Sequence, residues 1–218
     1  GNVFTANVAS GASAGGGALD AADGALSAQY NSFSGDTGAA AVRTSATTVA
    51  TLTNSWWGCN GGPGAAGCDA TSIASGSANA YLVLSATTSA SLIDTASTAT
   101  FTASLRTNSA GSTIGGANLS AFEGATVGWT GVAPSGSSVS SSAFHLGEAT
   151  TTFTSGSTGG PGGATATFGT ASVPVSVAVS RKAVSVVGKV VAREPDRRRH
   201  VAAEHRRAVG RTAAQRGR

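Results

Sequence analysis

The chain has 218 residues, 31 of them glycine, and only 11% of its residues carry a charge. An average globular protein carries about 25% charged residues, so Ser and Thr must cover much of the surface here. The net charge of +4 is unevenly placed: residues 1–180 hold two arginines against seven acids, a net −5, whereas residues 181–218 carry +9. This distribution excludes a basic nucleic-acid-binding face from the part of the chain that precedes Arg181.

The composition favours many short strands, because Ser and Thr suit solvated strand faces and can hydrogen-bond locally. The opening residues GNVFTANVAS lack the basic start and the apolar run of a secretory signal peptide. No stretch approaches the roughly 20 apolar residues of a membrane-spanning helix. Since no initiator Met is present, we expect an interior piece of a longer, all-β protein.

Three N-terminal segments share Asn at their second position and Gly at their sixth: ANVASG at 6–11, YNSFSG at 30–35 and TNSWWG at 53–58. Their asparagines, Asn7, Asn31 and Asn54, recur at almost equal intervals. A period in the low twenties with Asn and Gly turns is typical of a parallel β-helix. Three such coils place Phe33 and Trp56 at equivalent, stacked positions. A Gly/Ser-rich linker with an accidental Asn spacing is the alternative.

The most specific string in the chain is NSWWGCNGGPGAAGCD at 54–69. It resembles the NNWWG…GPGGAGCD element found where right-handed parallel β-helices end in bacterial cell-surface and adhesin-like proteins. Ser55 stands where that family more often has Asn. The resemblance implies that Trp56 and Trp57 finish the apolar stack and that the Gly-rich loop turns the chain away.

Cys59 and Cys68 stand at the two ends of this loop of Gly, Pro and Ala. A disulfide between them would close a loop that has little else to hold it, and would stabilise it by roughly 2–3 kcal/mol. The pair therefore predicts an oxidising, extracytoplasmic location. A zinc site is disfavoured because no His or further Cys is near, and the same lack of His argues against a catalytic cysteine.

From about Tyr81 onward, short runs of alternating residues are separated by turn signals. Six or seven such runs over about 100 residues, without helix signals, predict a β-sandwich. The residues expected on the inner faces are Leu82, Leu84, Phe101, Ala103, Leu105, Val127, Trp129, Ala149, Thr151, Phe153, Ala164, Ala166, Phe168, Val173, Val175, Val177 and Val179.

Four phrases of this region resemble bacterial Ig-like domains of the invasin/intimin type: LRTNSAG at 105–111, GATVGW at 124–129, LGEATTTFTSG at 146–156 and GGATATFG at 162–169. The resemblance covers roughly residues 80–180. It is weakest over residues 114–124, where IGGANLSAFEG replaces the family's Pro/Gly-Val turn. It implies a rigid spacer that holds a binding tip away from a cell envelope.

The last segment, residues 181–218, loses Ser and Thr, and Arg rises to about one residue in four. Its Arg, Ala, Gly and Val all use GC-rich codons, which favours a non-functional, disordered tail from out-of-frame translation or truncation. A basic arm that binds nucleic acid or anionic lipid is one alternative. An amphipathic helix over residues 197–209 is another.

Parallel β-helices also house polysaccharide lyases and hydrolases, and glycoside hydrolysis needs two carboxylates facing one bond. The acids of the N-terminal part are more typical of turn formers than of ligands: Asp20, Asp23, Asp36 and Asp69. His145 is the only histidine before residue 181, and no Ser–His–Asp arrangement is suggested. We therefore predict no catalytic residue, metal site or cofactor. Trp56 and Trp57 could stack on sugar rings, although stacking inside the coil end is favoured.

The sequence thus predicts an all-β chain in three parts: the end of a right-handed parallel β-helix with a disulfide-tied cap at 1–76, an Ig-like β-sandwich at 80–180 and a basic, disordered tail at 181–218. The predicted role is a non-catalytic stalk or spacer in an exported, adhesin-like bacterial protein, located extracellularly or on the cell surface. A fragment of a secreted carbohydrate-active β-helix protein is the alternative, and nucleic-acid or anionic-surface binding through the tail is a weaker one.

The expected partners are glycans, other surface proteins, and further coils and domains of the same longer chain. Nucleic acid is not expected as a partner, and neither is a membrane span.

Overall fold

The computed structural model describes residues 1–10, 16–38 and 40–181. One compact unit contains all of them. Their regular elements are sixteen β-strands and one 3₁₀ helix, so the predicted all-β class is confirmed. Apart from Arg181, the predicted basic tail lies outside the described residues.

The first eight strands form parallel sheets. Their bounds are β1 (Val3–Thr5), β2 (Gly16–Ala21), β3 (Ala25–Ser27), β4 (Ser32–Ser34), β5 (Ala40–Thr44), β6 (Val49–Thr51), β7 (Thr71–Ser72) and β8 (Ser75–Ser77). β1 pairs with β4, and two further sheets follow the orders β2-β5-β7 and β3-β6-β8. Every one of these pairs is parallel. The chain therefore passes through the three sheets in turn and returns one level further along: β1 to β3 form the first level, and β4 to β6 the second.

The third level of the first sheet is the residue Trp56, which bridges to Ser32 in parallel. This register corrects the expected aromatic stack. Phe33 pairs with Phe4 one level earlier and stacks on Trp57 one level later, with ring centroids 5.1 and 4.6 Å apart. The prediction that Phe33 and Trp56 are equivalent was wrong by one position, because the interval from Asn31 to Asn54 is one residue shorter than that from Ser32 to its bridge partner Trp56. Since side chains alternate along a strand, this shift of one residue moves Trp56 to the other face.

The asparagine alignment also differs from the expected one. The backbone N–H of Asn2, and not that of Asn7, donates to Oδ1 of the buried Asn31 at 2.6 Å. The backbone N–H of Asn31 in turn donates to the Oγ of Ser55 at 3.2 Å. The equivalent positions on the three levels are therefore Asn2, Asn31 and Ser55, so Asn54 lies just outside this ladder.

The remaining strands form two sheets that face each other across an apolar core. Their bounds are β9 (Leu82–Thr88), β10 (Leu92–Asp94), β11 (Thr98–Asn108), β12 (Thr126–Ala133), β13 (Ser142–Ala143), β14 (Glu148–Thr154), β15 (Gly160–Phe168) and β16 (Ala171–Ser180). The strand orders are β10-β16-β15-β12-β13 and β14-β11-β9. All of these pairs are antiparallel except β10 with β16.

The alternation expected for this sandwich-like part is observed. Along β11, Phe101, Ala103 and Leu105 are buried, and the residues between them are partly exposed. Phe101 stacks on Phe153 of the neighbouring strand β14, with ring centroids 4.8 Å apart. Apolar rings and aliphatic side chains from both sheets therefore fill the space between them, as sheet-on-sheet packing requires.

The segment where the family resemblance was weakest contains the 3₁₀ helix, Gly116–Phe122. Its Leu119 and Phe122 are 0% and 1% exposed and belong to the sandwich core. The helix thus replaces a tight turn and closes one end of the core. Sequence reasoning missed it because 3₁₀ helices are short and lack a strong periodic signal.

The stacked rings predict a graded loss of stability on truncation. Phe33→Ala should lower the free energy of unfolding by about 3–5 kcal/mol, because the buried ring lies between Phe4 and Trp57. Phe4→Ala should cost less, since Phe4 is only half-buried and has one ring neighbour among the described residues. Urea unfolding followed by tryptophan fluorescence measures both. Equal losses would contradict the order of the stack.

Candidate functional site at the junction of the parallel sheets and the sandwich

Two consecutive tryptophans lie where the parallel sheets meet the sandwich. Trp57 points inward, is fully buried and belongs to the core of the parallel sheets. Trp56 points to the other side, is 1% exposed and packs on Phe168 in the sandwich core, with ring centroids 5.3 Å apart. Each core therefore receives one ring. Stacking of either indole on a sugar stays a prediction, and these exposures do not favour it.

The predicted disulfide is present between Cys59 and Cys68. Their Cα atoms are 5.1 Å apart, within the usual range for a disulfide. Within the loop, Gly62 has φ +81° and lies against the Tyr81 ring, where a Cβ would overlap the ring carbons. Glycine is thus required here both for the turn and for the close approach.

Hydrogen bonds tie this loop to β9 of one sandwich sheet and to the turn between β15 and β16 of the other. The Asn60 amide donates to the Leu84 carbonyl at 2.9 Å, and its Oδ1 accepts the Leu84 N–H at 2.7 Å. On the other sheet's side, the Thr170 N–H donates to the Gly58 carbonyl at 2.8 Å. The Thr170 hydroxyl donates to the Gly67 carbonyl at 3.0 Å. The loop therefore acts as a clamp between the parallel sheets and the sandwich.

A second ladder of side chains runs through successive levels of the parallel part. Both the backbone and side-chain nitrogens of Asn7 donate to Oδ1 of Asp36, at 2.8 and 2.7 Å. The backbone N–H groups of Gly35 and Asp36 donate to the two carboxylate oxygens of Asp69, at 2.9 and 3.0 Å. Asp36 and Asp69 are each 8% exposed, and Oδ2 of Asp36 has no hydrogen-bond partner among the described residues.

Burial raises the pKa of Asp69 above its ordinary value. The two backbone hydrogen bonds from Asp36 and Gly35 oppose this effect, and the negative charge of Asp36 adds to it. The Asp69 carboxylate is costly to ionise in this poorly solvated turn, because its charge loses hydration and lies beside that of Asp36. The acids of this ladder therefore serve as structural hydrogen-bond acceptors. Ionisation of Asp69 above acidic pH lowers the free energy of unfolding.

The other acids that precede Arg181 are also engaged within the fold. Each carboxylate has a partner in a hydrogen bond or an ion pair: Asp20 with Arg43, Asp23 with the Gly24 N–H, Asp94 with the Ser180 hydroxyl, Glu123 with His145 and Glu148 with Arg106. Among the described residues, no three His, Cys, Asp or Glu side chains cluster as metal ligands would. In the same part of the chain, no helix is long and apolar enough to cross a bilayer.

His145 lies on the surface, with its side chain 76% exposed, and its Nδ1 is 2.7 Å from a carboxylate oxygen of Glu123. The hydrogen bond from His145, followed by that from the Leu146 N–H, lowers the pKa of Glu123. The pair therefore fixes the turn around Leu146, whose φ is +49°.

A cleft of about 220 Å³ opens beside Trp56, between the outer face of β1 and β4 and the sandwich. One wall is formed by Val3 and by three residues with hydroxyls, Thr5, Ser32 and Ser34. The opposite wall is apolar and is formed by Ala121, Phe122, Ala125 and Phe168. Sequence reasoning missed this cleft, because its two walls come from segments that are far apart along the chain.

The aspartate ladder predicts a pH-dependent gain on neutralising Asp36. Because the pKa of Asp69 is raised in the folded state, its contribution to stability is complete below the ordinary carboxyl pKa and is lost as the pH rises through the raised value. Asp36→Asn removes the repelling charge and places an NH2 donor beside the Asp69 carboxylate in place of the unpartnered oxygen. It should increase the free energy of unfolding at neutral pH by about 1 kcal/mol or more. Above pH ~4, the free energy of unfolding of this variant should decrease less with rising pH than that of the parent protein.

Urea unfolding at a series of pH values measures this effect. Asp23→Asn is the matched control, since Asp23 lies in an exposed turn and should leave the profile unchanged. A neutral-pH stability of Asp36→Asn at or below that of the parent would show that the ladder needs the charge.

The close approach of the Gly169 backbone to the Gly58 carbonyl predicts a loss of stability when a side chain is added at Gly169. This residue has φ +58°, and a Cβ there would overlap the Gly58 carbonyl that accepts from Thr170. Gly169→Ala should cost at least about 2 kcal/mol, from backbone strain and the displaced contact. Gly111→Ala is the control, because Gly111 has φ +80° with open space around it and should cost about 1 kcal/mol. Equal losses of stability in the two variants, measured by thermal unfolding, would contradict a tight contact between Gly169 and the Gly58 carbonyl.

The comparisons with known proteins identify no family. Neither protein-family profiles nor curated protein sequences gave a match to the chain. Among solved structures, the chain is similar to FdeC, described as a broadly conserved Escherichia coli adhesin that elicits protection against urinary tract infections. The identity is 18% and the TM-score 0.33, over 66% of this chain and 38% of that chain. This chain thus matches less than half of that protein's length.

Proposed function

We propose that the chain is a non-catalytic, structural and adhesive segment of an exported bacterial surface protein, acting as a stalk or spacer. In this proposal, residues 1–76 are the last coils of a right-handed parallel β-helix and residues 80–180 an Ig-like sandwich. The observation that carries it is the junction, where Trp56 and Trp57 fill two adjacent cores and one disulfide-closed loop is hydrogen-bonded to both sandwich sheets.

The β-helix assignment is supported by the order of the parallel strands. Each sheet takes one strand from each successive level, and the pairs Leu19 with Val42 and Leu26 with Ala50 are each separated by one period of the sequence repeat. Inward aromatic rings stack from level to level, as do the polar side chains at the turns. Repeating units that bury their faces only against their neighbours have this pattern.

The spacer role is supported by the short, hydrogen-bonded connection between the parallel sheets and the sandwich. Only a short segment, residues 78–81, separates β8 from β9. At the start of β9, the Leu82 N–H donates to the Ser55 carbonyl at 3.0 Å, so the strand continues the stacking of the third level. Leu82 and Trp56 then share one core. A connection that is hydrogen-bonded and buried in this way resists bending, unlike a Gly/Ser linker.

The exported location is supported by the disulfide, because structural disulfides persist in oxidising compartments. The absence of catalysis is a proposal supported by the use of the carboxylates. The ladder acids Asp36 and Asp69 and the five surface acids each have a structural partner, so none is held free and facing another across an open cleft in the described residues.

Distance measurements between spin labels test the spacer role. Labels attached through a noncanonical amino acid at the exposed Val49 and Thr150 report across the junction, and labels at Leu92 and Thr150 report within the sandwich as the control. We expect a single narrow distribution of label-to-label distances for each pair. Both distributions should stay narrow in the Cys59→Ser, Cys68→Ser double variant, because a disulfide acts mainly on the unfolded chain while the buried indoles hold the folded junction. A broad distribution in the parent protein would contradict the proposal.

A further inference from the structure

We propose that the cleft beside Trp56 binds one neutral pyranose ring, either as a free sugar or as the terminal unit of a glycan. This proposal does not require the chain to be a spacer. It rests on the chemistry of the two walls, on the absence of charged residues from the lining, and on the size of the cleft.

The polar wall comes from the pleat of two parallel strands. Phe4 and Phe33 point inward, so Val3, Thr5, Ser32 and Ser34 point outward into the cleft, and three of these four side chains carry a hydroxyl. None of these three hydroxyls has a hydrogen-bond partner among the described residues, although Ser32 is only 6% exposed. A Ser or Thr hydroxyl can both donate and accept. This wall therefore offers three unengaged groups to a ligand that can do the same.

The opposite wall is apolar. The 3₁₀ helix and the residues after it contribute Ala121, Phe122 and Ala125, and the end of β15 contributes Phe168. The Phe168 ring is held by Trp56 at 5.3 Å and by Phe144 at 5.1 Å, so it is fixed in place. The apolar wall is preorganised, and a ligand ordered against it would not have to order the ring as well.

These two walls exclude the other simple ligand classes. A charged ligand would lose hydration against a lining that has no charged side chain to replace it. A wholly apolar ligand would cover three hydroxyls without satisfying their hydrogen bonds, which disfavours its binding. A pyranose ring has C–H groups on one face and hydroxyls around its rim. It can therefore pack on Phe168 while its hydroxyls reach Thr5 and Ser34.

The size of the cleft limits the ligand to about one ring. Its volume of about 220 Å³ is below the roughly 300–1,000 Å³ of pockets for drug-sized molecules. The space arises because a small residue, Ser32, occupies on the second level the position that Trp56 occupies on the third. On the third level the indole fills the same gap against Phe168. Trp56 therefore closes the cleft at its third-level end.

Saturation-transfer NMR with the full chain tests the proposal. The probes are the methyl pyranosides of glucose, galactose and mannose, methyl N-acetylglucosaminide, charged sialic acid and apolar indole. We expect transfer to at least one neutral pyranoside, strongest at the C–H protons of one ring face, and none to sialic acid. A titration followed by chemical shifts then gives the dissociation constant.

Three isosteric or nearly isosteric variants locate the site. Thr5→Val and Ser34→Ala remove one cleft hydroxyl each and should weaken binding about two- to tenfold apiece, the range for a lost hydrogen bond. Thr150→Val is the matched control, because Thr150 is exposed on the outer face of β14, away from the cleft, and should change nothing. Unchanged amide spectra elsewhere in each variant show that the fold is retained.

The outcomes separate the possibilities. Transfer to indole without transfer to any pyranoside would overturn the proposal, because the cleft would then be merely apolar. Sugar binding that Thr5→Val and Ser34→Ala leave unchanged would place the site elsewhere and overturn it too, as would no transfer to any pyranoside. Immobilised oligosaccharides that end in the ring found to bind distinguish the two sources: capture by them indicates a glycan terminus, and binding of the methyl pyranoside alone indicates a free sugar.

Discussion

The opposite directions of Trp56 and Trp57 are the constraint on which the rest of the structure depends. Consecutive side chains of a strand point to opposite faces, so one step along the chain places one indole in the core of the parallel sheets and the other in the core of the sandwich. Both rings are almost completely buried. The two cores are thus joined at a single peptide unit, and neither can move relative to the other without exposing an indole.

The disulfide-closed loop and the strand β9 extend this coupling on either side. The loop reaches one sandwich sheet through Asn60 and the other through Thr170. The strand leaves the last parallel level still hydrogen-bonded to it, through Leu82. Disulfide stabilisation acts mainly by restricting the unfolded chain, so the covalent link and the buried rings act on different states of the protein. Their effects on stability are therefore complementary.

Much of the sandwich could be predicted from the sequence, because alternation alone places residues such as Phe101 and Phe153 on an inner face. The disulfide was also predictable, since only two cysteines exist and they flank one loop. The register of the parallel strands was not. Phe4 pairs with Phe33 across a longer stretch of chain than the one between Leu26 and Ala50. A repeat of constant length therefore aligned Asn7 with Asn31 in the sequence, whereas the structure pairs Asn2 with Asn31. The cleft depends on the apposition of distant segments, which no local pattern encodes.

The paired hydrogen bonds of Asn60 with Leu84 have a consequence for the edge of the sandwich. The amide presents one donor and one acceptor to a single residue of β9, as a neighbouring strand would. β9 ends the order β14-β11-β9, and the free backbone of a terminal strand is a template on which another chain can assemble. A single side chain, held in place by the loop it belongs to, occupies that template at Leu84 and so keeps the sheet from recruiting a foreign strand there.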